Sequence, residues 1–180
     1  MDRPVELVPL VCIQCSTAIP AGVEEVAWVC AQCGQGMFLD EAHGLEALDI
    51  HYSADIPQNS TGKPYWVAGG QVTMERTTYD YGGKHGEAAQ QFWGQSQQFF
   101  VPAFQAPLES LLEISKAMLL DPPRLSSGPA TPFEAVTLYR DDVFAAAEFI
   151  VIAIEAERKD KLKSIDFELK LSKPVLWILP

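Results

Sequence analysis

The chain has 180 residues with 48% hydrophobic residues and a net charge of −11, enough apolar content for a real core and too much for wholesale disorder. Its length fits one ordinary domain, or a small module joined to a medium one. Arg3 and Lys63 bound an interval with no lysine or arginine, while Glu6, Glu24, Glu25, Asp40, Glu41, Glu46, Asp49 and Asp55 all fall inside it. That charge pattern argues against phosphate binding in this region.

The opening MDRPVELVPLV lacks a basic stretch followed by a long apolar one, so no secretory signal is expected. The longest apolar-leaning run, 143–156, is too short to span a bilayer and holds Glu148 and Glu155. A cytoplasmic location follows as the expectation, and there paired cysteines more often hold metal than form disulfides.

All four cysteines lie in two CxxC pairs, Cys12-x2-Cys15-x14-Cys30-x2-Cys33. Each pair puts two sulfurs on one side of a tight turn, and two such knuckles facing one another make a tetrahedral cage suited to zinc. Gly34 after the second pair permits the left-handed backbone needed to leave a knuckle, whereas Ser16 holds that place after the first. A dithiol redox site is disfavoured because no helix start follows Cys15. Disulfides lack an export signal, and catalytic zinc needs an open coordination position that four thiolates do not leave.

On these ligands, residues 8–39 resemble a zinc ribbon. The remainder, with segments such as PYWV and FFVPAF, is loosely similar to uncharacterised bacterial zinc-ribbon proteins. The resemblance implies a structural Zn2+ held by Cys12, Cys15, Cys30 and Cys33. It implies no activity, since ribbons serve many functions. The expected organisation is a ribbon over 1–42 and a β-rich α+β domain over 43–180, mainly antiparallel, with one or two helices.

Further along, 21–29 is a plausible strand leading into the second knuckle, and LEALDIHYS (45–53) alternates loosely as a strand. The stretch 53–64 reads as a connection, with its Asn59-Ser60-Thr61 sequon a polar loop. PYWVAGGQVTMERTTYDY (64–81) is β-rich with Gly69-Gly70 as a kink or turn, 81–98 reads as a connection, and QQFFVPAF (97–104) is a strand whose Pro102 favours an edge or a bulge. Leu108, Leu111, Leu112, Ser115, Met118 and Leu119 recur with helical period between Pro107 and Asp121-Pro122-Pro123, predicting a helix. After the connection 121–132, a capping box from Thr131 to Glu134 predicts a second helix between 132 and 147. FIVIAIEAE (149–157) predicts a central strand, 158–163 a charged turn, SIDFELKL a half-buried strand and VLWILP a closing apolar segment.

No nucleotide-binding, serine-nucleophile or zinc-protease motif is present. Gly82-Gly83-Lys84-His85 lacks the Ser or Thr of a phosphate loop. His43 lies near Asp40 and Glu41, where a second metal site competes with an ordinary surface histidine; His51 is expected on a strand face. Asp141 and Asp142, adjacent in sequence, would point apart on a helix. Tyr65, Trp66, Phe92 and Trp93 are either core fillers or a partner-binding surface. The expected function is a non-catalytic protein-interaction or adaptor protein with a structural zinc ribbon and an unidentified protein partner. The alternative is a small-ligand or enzymatic β domain stabilised by the ribbon, and nucleic-acid binding is disfavoured by charge.

Overall fold

β5 (Lys63–Thr78) organises the main sheet of this structure, a computed structural model that describes residues 9–79, 84–158 and 162–180, with side chains for all of these but 84–86. Its residues alternate between two faces. Trp66, Val72 and Met74 point into the principal core, while Tyr65 and Val67 point into a second cluster with Phe100, Phe104 and Leu179. Helices cover both faces, which is why the run from Pro64 to Ala68 is buried throughout.

β5 does not turn at Gly69-Gly70. It continues as one strand of 16 residues, and Gly70 serves packing instead. A Cβ on Gly70 would stand 2.5 Å from the Phe99 ring and 2.8 Å from a Leu171 methyl. On one side β5 pairs antiparallel with β6 (Gln97–Pro102). On the other it pairs antiparallel with β7 (Leu162–Leu171) and then β8 (Val175–Leu179), which run end to end along it. A short parallel strand, β4 (Ile50–Tyr52), closes the sheet beside β8. β6 lies at the opposite edge, as Pro102 led one to expect.

A smaller antiparallel sheet holds β1 (Ala27–Val29), β2 (Gly36–Asp40) and β3 (Gly44–Ala47) in that order. It runs past residue 42 through β3. The single strand expected over 45–53 is two strands in different sheets, because the chain turns at Leu48, whose N–H bonds Gly36 O at 2.9 Å. A Cβ on Gly36 would collide with the Leu48 carbonyl, so only glycine admits this crossing. Of the strand expected over 21–29, only the last three residues are β.

Three α-helices are described, one more than the upper expectation, and the β-rich α+β character stands. α1 (Lys84–Trp93) occupies most of the stretch expected to be a connection; Ala88 to Gln91 favour helix, and Ala89 and Trp93, one turn apart, enter the core. The first two residues of the Gly82-Gly83-Lys84-His85 motif lie outside the described residues. α2 (Leu108–Leu120) is the helix its periodicity predicts, stopping before Pro122.

The largest correction concerns α3 (Val143–Ala156). The predicted strand 149–157 is its second half, and the helix expected between 132 and 147 begins only at 143, after a 3-10 turn at Arg140–Asp142. Val143, Ala147, Ile150, Val151, Ile154 and Glu155 are buried at helical spacing. Residues 132–137 are extended instead, bridging Gly62 through Phe133 and Ala27 through Val136. Thr131 Oγ1 donates to Pro129 O, so the capping box does not form. Residues 159–161 of the expected charged turn lie outside the described residues; β7 and β8 match the last two expected segments.

Candidate metal centre

The two CxxC turns are built by the same backbone scheme. Cys12 N–H donates to Thr17 O and Ser16 N–H to Cys12 O, both at 2.8 Å; Cys30 N–H donates to Gln35 O at 2.9 Å and Gly34 N–H to Cys30 O at 2.8 Å. The fourth residue after the first cysteine of each pair has a positive φ, 59° at Ser16 and 76° at Gly34. The serine therefore adopts the conformation the glycine adopts freely, at some strain.

These turns bring the sulfurs together. Cys12 and Cys33 Sγ are 3.6 Å apart, Cys15 and Cys30 Sγ 3.5 Å apart, and all four lie within 4.8 Å of one another. A disulfide requires about 2.05 Å, and all four thiols are free. A tetrahedral site with metal–sulfur bonds of about 2.3 Å needs sulfurs about 3.8 Å apart, so the donor set fits a metal ion with little adjustment. Four thiolates fill such a shell and leave no position for water or substrate.

Surrounding groups bias the thiols differently. The Thr17 hydroxyl, 3.2 Å from Cys15 Sγ, and Thr17's backbone bring Cys15 down to about 6. At Cys33 the Gln35 backbone N–H favours the thiolate, but burial and the neighbouring cysteine sulfurs outweigh it and push the group up to about 12. Gln14 N–H points at Cys12 Sγ at 3.4 Å. Cys12 and Cys30 are buried with Ile19, Trp28 and Met37, while Cys15 and Cys33 face solvent.

The small sheet carries this cluster on one face and docks on the body with the other. Trp28 and Met37 face the sulfurs, whereas Ala27 and Phe38 join the principal core. Val26 N–H donates to Val136 O at 2.8 Å, the Arg140 guanidinium lies 4.1 Å from the Phe38 ring centre, and Arg140 Nη2 is 3.6 Å from Asp40 Oδ2.

The remaining candidates fall elsewhere. Tyr65, Trp66 and Trp93 are buried, and Phe92 is half-buried with its ring edge-on to Trp93, so these side chains are not displayed as a surface. Asp40 Oδ1 accepts from the Ala42 and His43 N–H groups and lies 2.9 Å from His43 Nδ1; the Ala42 bond first, then His43, lowers the Asp40 pKa. Glu46 stands 3.8 Å from the same ring nitrogen. His51, exposed on β4, stacks on Trp177 with ring centres 5.0 Å apart. Asp141 and Asp142 lead into α3.

Two features escaped the sequence. One is Glu155, a fully buried carboxylate held by Trp93, Arg158 and Arg76. The other is an apolar groove of about 360 Å3 between α2 and α3. Among the described residues, no helix is long and apolar enough to cross a membrane. No protein-family model, no curated protein and no solved structure matches the chain.

Proposed function

We infer that the chain is a non-catalytic protein-interaction protein whose first lobe is held in shape by a structural zinc ion on Cys12, Cys15, Cys30 and Cys33. The observation that carries the metal half is the convergence of four sulfurs from two identically hydrogen-bonded turns. Soft thiolates in tetrahedral arrangement select zinc or iron, and zinc is the ordinary occupant of a site with no redox task. The metal supplies folding energy, on the order of 10 kcal/mol in small ribbon-like units. Its second effect is to present the small sheet rigidly on the body.

The interaction half is supported by what surrounds the site. A full tetrathiolate shell carries −2 around Zn2+, and no lysine or arginine stands between Arg3 and Lys63. Such a lobe repels phosphate, which disfavours nucleic acid and leaves protein as the partner. A cytoplasmic setting is consistent with four reduced cysteines.

The test is affinity capture from the native host's lysate with the zinc-loaded full chain, alongside a Cys12→Ser/Cys30→Ser chain. A stoichiometric protein held by the first and lost by the second supports the assignment. Capture of nucleic acid with steep salt dependence, or of nothing above background, contradicts it. The alternative of a small-ligand β domain is favoured by one observation, the apolar groove between α2 and α3.

A further inference from the structure

We propose that the groove between α2 and α3 is the docking site for an amphipathic helix of a basic protein partner, with an apolar stripe flanked by lysine and arginine. This rests on the interaction reading above and adds to it a surface on the body, away from the zinc lobe, with its own partner chemistry, so binding there should survive Cys12→Ser/Cys30→Ser.

The groove runs along the outer edge of β6. Its floor is Val101 and Pro102, and its walls include Leu108 and Leu112 of α2 and Ala145 and Phe149 of α3. Ser115 is its one polar lining residue, and the Ser115 hydroxyl is already committed to Leu111 O at 2.9 Å. Nothing in the lining offers a hydrogen bond to orient a polar ligand. Pro102 also lacks the N–H that strand addition needs on this edge. A helix burying side chains at i, i+3, i+4 and i+7 requires neither.

The apolar surface extends beyond the groove. Leu108 is 70% exposed, Phe149 51%, Phe144 44% and Ile152 42%. The outward face of α3 therefore presents aromatic and branched side chains where a surface helix ordinarily presents charge.

Charge selects the occupant. The cations beside the lining are committed: Lys116 bridges Glu113 and Glu157, Arg158 bonds Glu155, and Arg140 pairs with Asp40, while Arg124, exposed on the connection after α2, lies outside the lining. Among the described residues, Glu109, Asp141, Asp142 and Glu148 have no cation partner: Glu109 stands three positions from Leu112 on α2 and Glu148 three from Ala145 on α3, while Asp141 and Asp142, in the turn that leads into α3, line the neighbouring crevice with Asp40 and Glu41. The groove is thus apolar in its lining, with uncompensated acids one helical turn along its two helices and in the crevice next to it. A second copy is the poorer occupant, because a symmetric interface would bring the same acids together on two chains of −11 each.

The experiment measures fluorescence anisotropy of two synthetic helical peptides against the zinc-loaded full chain. Both carry leucine at i, i+3, i+4 and i+7; one has lysine at the other positions and its twin has glutamate. The lysine peptide is expected to bind at least about tenfold more tightly than its twin, with affinity falling as salt rises. Phe149→Glu and Leu108→Glu, at exposed positions that leave the fold intact, should each weaken it by about tenfold or more. Val23→Glu, on the exposed loop of the first lobe, should not.

No binding of the lysine peptide, equal binding of both peptides, or binding that survives Phe149→Glu overturns the proposal. So does a dimer of the unmodified chain, seen by light scattering, that Phe149→Glu dissolves. Lysate capture separates this from the broader reading. A partner retained equally by unmodified and Phe149→Glu chains sinks the groove and spares the interaction function, whereas capture by neither sinks both.

Discussion

The indole N–H of Trp93 donates to Glu155 Oε1 at 2.7 Å, joining α1 to α3 across the interior between two side chains closed off from solvent. The same carboxylate takes Arg158 Nε at 2.6 Å on Oε1 and Arg76 Nε at 3.0 Å on Oε2. One buried acid therefore ties both helices to β5. Removing the acid leaves buried donors and an arginine charge without their anion, so Glu155→Ala should cost about 3–5 kcal/mol. Trp93→Phe should cost roughly 1–3 kcal/mol by leaving one acceptor site unfilled. Urea unfolding of both variants and the double variant measures this; strict additivity would show that the two groups do not act together.

Glycines at two places should respond for different reasons. Gly70→Ala drives a methyl into the Phe99 ring and Leu171, and overpacking of that kind costs about 1–3 kcal/mol. Gly34→Ala meets nothing within 4 Å, yet its φ of +76° makes any side chain strained by about 1 kcal/mol. The converse change, Ser16→Gly, should stabilise the first knuckle, because Ser16 already holds φ at 59°. Thermal unfolding of the metal-loaded variants checks all three signs.

Much of this was legible beforehand. The sulfur spacing pointed to the knuckles, the leucine period gave α2, and strict alternation gave β7. α3 was misread because its second half is apolar at nearly every position, and a short continuous apolar run looks alike in a buried helix and a central strand. The deciding residues lay upstream: Ala145, Ala146 and Ala147 extend the run to helical length. Glu155 gave no local signal, since its partners lie 62 and 79 positions away in Trp93 and Arg76 and beside it in Arg158. The groove likewise arises only when α2 and α3 flank the same strand.

Burial, reinforced by the charge of Glu134, pushes the Tyr65 phenol up to about 12. The folded protein thus holds this proton to higher pH than the unfolded chain, whose tyrosines titrate near 10. The associated stability is complete below pH of about 10 and is lost as pH rises toward 12. Phenolate absorbance should show one tyrosine lagging the others; Tyr65→Phe should make the alkaline loss of stability less steep.

Metal affinity should climb with pH, because thiolates bind and thiols do not. Cys15 is near 6, whereas Cys33 is near 12 and releases its proton to solvent only when the metal takes its place on the sulfur. Competition with a chromophoric chelator should give about a tenfold gain per pH unit for each proton released between pH 6 and 8. A flat profile would mean the sulfurs are not the ligands.

The most direct measurement is elemental analysis of protein purified under reducing conditions, followed by hydrogen exchange with and without a chelator. One zinc per chain is predicted, absent from Cys12→Ser/Cys30→Ser, with amide protection lost over residues 9–47 on chelation while β5 to β8 keep theirs. Substoichiometric metal, or a first lobe whose protection is unchanged when the metal is stripped, would contradict the claim that a tetrathiolate site holds this lobe together.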